Sequence, residues 1–297
     1  MPGITRGVRA WCSGGDGLGG GGLAGMGAAV ECGYALVEGG GRVAYQVVGD
    51  GPLDVLVIRQ AISPVDMMWD EPRVVRFLDR LSSFCRHGWF DARGTGASGG
   101  ISHAEGRLIE SHMDDMVAVL DALGWERVAI ISLGLPTGAV FAATHPDRVT
   151  ALVIADASAR YRWADDYPVG WPDTEIDRRI AAARRGEPVG SVEVVAPSLR
   201  DDAEFRWWYE RANRLYASPE ERGWRVESAL NLDLRDVLGA VRVPTLVITR
   251  SGRATTAAQS RYVADHIAGA TSLEVPGGDS LQFSADSVEV LDRVEEF

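Results

Sequence analysis

Asp156 stands just beyond the short apolar run of residues 151–154 (ALVI), which has the length and β-branched content of a strand buried on both faces. In an open α/β sheet, the carboxyl ends of the strands are where ligands bind. A carboxylate there can serve as a general base or as a relocated catalytic acid. It can equally close a local turn by accepting bonds from backbone N–H groups. Both readings of Asp156 stand on sequence alone. The neutral bases available near pH 7 are His87, His103, His112, His145 and His266. His103, on a loop, is the one candidate base among them; the other four fall in or beside helices and strands, where a solvated or core histidine is the ordinary reading.

Other chemistries find less support. Residues 13–27 read SGGDGLGGGGLAGMG, but no strand precedes this stretch and no GK[ST] follows, as a phosphate-binding loop requires. Its glycines are costly to order, and the pattern predicts a disordered tail over residues 1–33. Cys12, Cys32 and Cys85 suggest neither a disulfide framework nor a metal site, and no cofactor is implied. A formal charge of −12 argues against a nucleic-acid partner and against anionic membranes. No apolar run reaches the ~20 residues of a membrane helix, and no secretory leader is visible. The expectation is a cytoplasmic protein acting on a small molecule, with a protein partner or self-association left open.

Strands and helices must position these groups. Residues 34–37 and 43–48 read as a hairpin, and residues 54–58, 86–90, 128–131, 151–154, 245–248 and 272–275 as further strands. Helical spacing covers residues 73–83, 110–123, 137–144, 257–267 and the stretch from Ser284. This alternation predicts an α/β fold with a mostly parallel, doubly wound sheet. Between Asp156 and Asp236 the pattern turns to helices and loops. Ser218-Pro219-Glu220-Glu221 forms a capping box there, and five of the nine tryptophans lie in this region. The core is therefore expected over residues 34–156 and 236–297, with an inserted helical cap over 157–235. Trp163, Trp207 and Trp208 of that cap either pack or line a substrate pocket.

Several stretches carry a family resemblance: AYQVVGDGPLDVLVI, WDEPRVVRFLDRL, FDARGTGAS, FAATHPDRVTALVI and RDVLGAVRVPTLVI. The chain resembles the α/β-hydrolase superfamily. Within it, these stretches are similar to the hydrolase-type domain that precedes class III adenylate or guanylate cyclase domains in bacterial proteins. No cyclase domain follows here, so cyclisation of nucleotides is not implied.

The resemblance implies a serine on a strained strand-to-helix turn, G-x-S-x-G, followed in sequence by an acid and a histidine. Ser132 takes the serine's position in Ile130-Ile131-Ser132-Leu133-Gly134, with isoleucine in place of the first glycine. Where the acid is expected, Arg250-Ser251-Gly252-Arg253 offers Arg253. Where the histidine is expected, Pro276-Gly277-Gly278-Asp279-Ser280 offers Ser280, with Asp279 beside it. An oxyanion hole would draw on the backbone N–H of Leu133 and on the Arg59-Gln60-Ala61 loop. Asp91 and Arg93 of FDARGTGAS match a turn that is structural rather than catalytic. A serine without a base is a poor nucleophile. The pocket is thus expected to have lost its relay and gained Arg59, Arg253 and Asp156. Two arginines there favour an anionic group on the ligand. The plainer alternative puts Arg253 in solvent and pairs Arg59 with a cap carboxylate.

Three functions follow. The first is an enzyme of non-hydrolytic type, catalysing elimination, cyclisation or another proton transfer. The second is a weakened serine esterase or thioesterase using Ser132, with His103 or water as base. The third is a non-catalytic pseudo-hydrolase that binds a ligand or a partner protein.

Overall fold

The computed structural model describes residues 30–59, 63–103, 108–134, 136–188 and 190–297. Eight strands form one sheet: β1 (Val30–Leu36), β2 (Arg42–Val48), β3 (Leu53–Arg59), β4 (Cys85–Phe90), β5 (Val128–Leu133), β6 (Val149–Ala155), β7 (Thr245–Arg250) and β8 (Thr271–Val275). Their spatial order is β1-β2-β4-β3-β5-β6-β7-β8. The pairs β1–β2 and β2–β4 are antiparallel and every later pair is parallel. β7 is buried at every residue, as a strand covered on both faces must be.

Helices cover the two faces. α1 (Pro72–Ser82) and, at the end of the chain, α10 (Ser287–Glu296) lie on one side, burying Phe77, Leu78, Leu81 and Leu291. The other side carries α2 (Leu108–Leu123) and α3 (Thr137–Thr144), with α9 (Ala254–His266) completing it. They bury Met116, Leu120, Phe141 and Val263. Proline at the first helical position and the Glu71 side chain, which accepts from the Arg73 N–H at 3.1 Å, open α1.

The cap leaves the sheet after β6 and returns at β7. It contains α4 (Asp173–Arg184), α5 (Val192–Val195), α6 (Ala203–Tyr216), α7 (Pro219–Asn231) and α8 (Arg235–Leu238). The predicted capping box is formed: Ser218 Oγ accepts from the Glu221 N–H at 3.2 Å. Trp208 is buried and donates from Nε1 to the Met67 carbonyl at 2.8 Å, tying cap to core.

Two expectations change. Among the described residues β1 already runs from Val30, ahead of the predicted Tyr34, because it pairs over its whole length with β2; the rest of the predicted tail lies outside the described residues. Cys32 on β1 is disulfide-bonded, where cysteine spacing had suggested no such bond, whereas Cys85 is a buried free thiol. No described helix is long and apolar enough to cross a membrane.

The FDARGTGAS turn is held by Asp91. Its carboxylate accepts from the N–H groups of Val65 at 2.9 Å and Ala97 at 3.1 Å, and pairs with Arg59 at 3.4 Å. Gly96 has φ +49°, and a Cβ there would lie 1.9 Å from Asp91 Oδ2; only glycine fits. Burial pushes the Asp91 carboxyl up to about 6, against the pull of Arg59 and the two N–H groups. The folded chain therefore holds that proton more tightly than the unfolded one. Asp91's contribution to stability is full below the ordinary value of 3.8 and is lost as pH rises through about 6. Urea unfolding at a series of pH values should show this slope in the wild type and a flatter one in Asp91→Asn. Asp91→Ala should cost about 3–5 kcal/mol, since it strands Arg59 and two amides.

Candidate functional site

The turn between β5 and α3 does not fall where the motif suggested. Ser132 is still inside β5, opposite Ile58 of β3 and Ile154 of β6, and is fully buried. Leu133 continues both ladders, facing Arg59 and Ala155. The left-handed residue is Gly134, with φ +96°, and its N–H donates to the Ala155 carbonyl at 2.9 Å. The expected strained serine is thus an extended one, and the strain sits two residues later, where glycine carries it without steric cost. Ser132 Oγ accepts from the Gly138 N–H of α3 at 3.3 Å. A Cβ on Gly138 would meet Ser132 Cβ at 3.0 Å, so strand and helix meet closely at this small residue.

Asp156 follows β6 with φ +54°, the one non-glycine residue in the left-handed region among those described. Its N–H donates to the Ile248 carbonyl at 3.2 Å, and Oδ1 accepts from the Arg250 N–H at 3.3 Å. Both bonds thus reach the neighbouring strand β7, and Asp156 also lines the cavity described below. Burial holds the carboxyl above the usual aspartate range, opposed by Arg253 and Arg250.

Arg253 is neither in solvent nor loose. Its Nε donates to the Gly278 carbonyl, and Nη2 donates to the Val195 carbonyl at 2.9 Å and to Ser280 Oγ at 3.2 Å. The residues standing at the expected acid and histidine positions are therefore hydrogen-bonded to each other. Gly252 permits this approach, since a Cβ there would lie 2.5 Å from the Gly277 carbonyl oxygen. Desolvation depresses the Arg253 pKa, with Asp156 and Asp279 opposing.

A cavity of about 380 Å³ opens between these strand ends and the cap, within the range of small-molecule sites. Leu133, Gly134 and Asp156 form part of its floor, with Arg253, Ser280 and Gln282 alongside. Tyr161, Trp171, Arg178 and Arg179 line it from the cap. The cavity brings together four of the residues predicted from sequence: Leu133, Asp156, Arg253 and Ser280.

The others lie elsewhere. Arg59 is buried against Asp91 and Ser63, at 3.4 and 3.1 Å, so its partner is a core turn and not the cap; desolvation depresses its pKa. Asp279 does not line the cavity; its carboxylate accepts from the Ser198 N–H at 3.0 Å and from the Ser198 hydroxyl. Trp163 is 48% exposed, and Trp207, 64% exposed, stacks with Arg211 at 5.5 Å; neither lines the cavity. Gln60 and Ala61 lie outside the described residues. Each histidine is engaged away from the cavity. His103 bonds Glu221 at 2.6 Å and stacks on Trp224. His87 bonds Ser82, His112 meets Arg225, and His145 and His266 stack on Phe141 and Tyr262.

Sequence reasoning missed Tyr161, Arg179, Gln259 and Gln282. Thr256 and Gln259 do share an α9 face by i, i+3 spacing, but nothing in the sequence says that this face meets the cavity.

No protein-family model matches the chain. Over 177 residues it is 25% identical to strigolactone esterase D14 of Arabidopsis thaliana, covering 56% of this chain and 63% of that protein. The chain spans about three-fifths of the length of the curated relatives it matches, 63% and 59%. An enol-lactonase from Burkholderia xenovorans LB400 superposes with a TM-score of 0.70 at 21% identity, covering 89% of this chain and 96% of that one. The chain has the α/β-hydrolase fold. An esterase from Exiguobacterium antarcticum also superposes at 0.70, with 18% identity, 89% of this chain and 99% of that one covered.

The left-handed backbone of Asp156 yields a stability test. Asp156→Gly removes both the φ penalty and a buried carboxyl, and should stabilise the fold by about 1 kcal/mol. Asp156→Ala keeps the Cβ without a side chain that bonds locally, and should be less stable than Asp156→Gly by a similar amount. Thermal and urea unfolding of the two variants would show the order.

Proposed function

We propose that the chain is an α/β-hydrolase-fold enzyme that transfers a proton on a small organic substrate without forming an acyl-serine. Asp156 takes a proton from one substrate atom and delivers it to another: to a second atom of the same molecule in an isomerisation or cyclisation, or to the departing group in an elimination. The observation that carries this reading is that Asp156 and Arg253 line one small-molecule cavity whose turn residue is Gly134. A carboxyl held above its ordinary range by burial is a better base once ionised. Arg253, fixed by three hydrogen bonds, places positive charge near it without reorganisation. Leu133, Val194, Val226 and Leu230 give the cavity an apolar body for the substrate's carbon frame.

A hydrolytic reading has the names of similar proteins in its favour: an esterase, an enol-lactonase and a second esterase. It needs Ser132 as nucleophile, yet Ser132 is fully buried and extended, with Oγ accepting from Gly138.

A fluorophosphonate probe and a pH profile separate the two. We expect no labelling at Ser132 in folded protein, and turnover that survives Ser132→Ala. Asp156→Asn should lower turnover at least a thousandfold, in the range of a lost general base (~10²–10⁴). The wild-type rate should rise with pH as the Asp156 carboxyl ionises, with a midpoint above the usual aspartate range, because only the ionised form accepts a proton. Labelling that disappears in Ser132→Ala, with Asp156→Asn fully active, sinks the proposal.

A further inference from the structure

Arg179 and Tyr161 share the cap side of the cavity with Trp171. Arg179 lies over the Trp171 ring, its guanidinium carbon 4.1 Å from the centroid, and Tyr161 packs against the same indole at 5.1 Å. Nε of Arg179 donates to Glu175 at 2.7 Å. Among the described residues, its two terminal nitrogens have no hydrogen-bond partner. The Tyr161 side chain is just 8% exposed, lines the cavity, and its hydroxyl likewise has no partner among the described residues. Buried hydroxyls in native structures are hydrogen-bonded; one that faces a cavity is placed for a ligand. The guanidinium is close enough to the phenol to oppose its rise, which burial pushes up to about 12, so the hydroxyl stays a donor at neutral pH.

The neighbouring cations do not compete for this role. Arg253 spends three bonds on Gly278, Val195 and Ser280, and Arg178 is mostly exposed and bidentate to Glu175, at 2.8 Å for both bonds. What remains is a stacked guanidinium fork beside a phenol donor, which matches a planar carboxylate.

We infer that Arg179 and Tyr161, backed by Trp171, form a carboxylate subsite, so that the ligand is a small monocarboxylate with an apolar body. Arg179 accepts no proton and breaks no bond; it and Tyr161 position the ligand, anchoring its acid group at the cap while its carbon frame runs along Leu133 and Val226 toward Asp156. The inference rests on the reading of this cavity as the ligand site, and it fixes the charge and orientation of what enters.

The test uses phenylacetate and hexanoate as probes on the full chain, with phenylacetamide as the uncharged counterpart. Binding is followed by tryptophan emission and by the rise in melting temperature. Either carboxylate should bind, and phenylacetamide should bind at least tenfold more weakly than phenylacetate. Arg179→Met and Tyr161→Phe should each weaken carboxylate binding about tenfold or more, a loss of ~1.4 kcal/mol or greater, while Arg200→Met, at an exposed arginine that does not line the cavity, stays within about twofold. Unchanged melting temperatures of the unliganded variants confirm that they are folded. Asp156→Asn should keep full carboxylate affinity, so loss of proton transfer and loss of the subsite are told apart. Three outcomes overturn the inference: neither carboxylate binds the wild type, phenylacetamide binds as well as phenylacetate, or Arg179→Met and Tyr161→Phe bind as the wild type does.

Discussion

The extended course of β5 through Leu133 is the constraint on which the site depends. Both neighbours hold it: β3 pairs through Arg59 and β6 through Ala155. A central parallel strand cannot bend while both ladders continue, so the chain first turns at Gly134. Ser132 is thereby committed to the sheet interior, where its hydroxyl meets the start of α3. Gly134, the turn residue that lines the cavity, has no side chain, and on the strand end beside it Asp156 brings a carboxylate to the lining.

The strands beyond β6 are coupled by arginines. Arg250 is almost fully buried and donates to both oxygens of Asp286 at 2.9 Å, to Ser284 and to the Pro276 carbonyl. Arg253 joins the turns after β7 and β8 to the end of α5. A buried guanidinium is costly unless its donors are used, and here they are spent on the Asp286 carboxylate, on Ser280 and Ser284, and on three backbone carbonyls. The cap is thus fastened at the same point that supplies the cavity's positive charge. A change at Arg253 therefore acts on cap position and on charge together, whereas Arg179, held by one bond to Glu175 and by Trp171, sets charge alone.

The fold was legible in the sequence because its signals are redundant. Apolar runs such as residues 54–58 and 245–248 are strands by length and β-branching, and the capping box at Ser218 marks α7 by its own chemistry. The site was legible to the level of strand ends and no further. Asp156, Arg253 and Ser280 reach the cavity because the residue after a parallel strand must lie at the same edge. Ser132-Leu133-Gly134 misled because serine is small: serine-x-glycine reads equally well as nucleophile-x-glycine and as small residue-x-turn. Ladder pairing decides between the two, and pairing is not written in the segment itself. Arg59 misled differently. It follows a strand end as Asp156 does, but Asp91 draws it into the core turn. Tyr161, Arg179 and Gln282 carry no local mark, since cap helices meet the sheet through contacts distant in sequence.

Asp156 joins two costs that a structural residue has little reason to bear. Its backbone is left-handed, which disfavours any side chain by about 1 kcal/mol or more, and its carboxyl is desolvated enough to resist ionisation. Asparagine would close the same turn without the charge, and glycine would do so without the strain. The one bond its side chain makes among the described residues, to the Arg250 N–H at 3.3 Å, is long for a charged acceptor and offsets little of either cost. The local fold alone would favour replacing it. Strain and desolvation together at a cavity floor are what the role proposed for Asp156 requires, and the positive charges of Arg253 and Arg250 oppose the rise that burial imposes on its carboxyl.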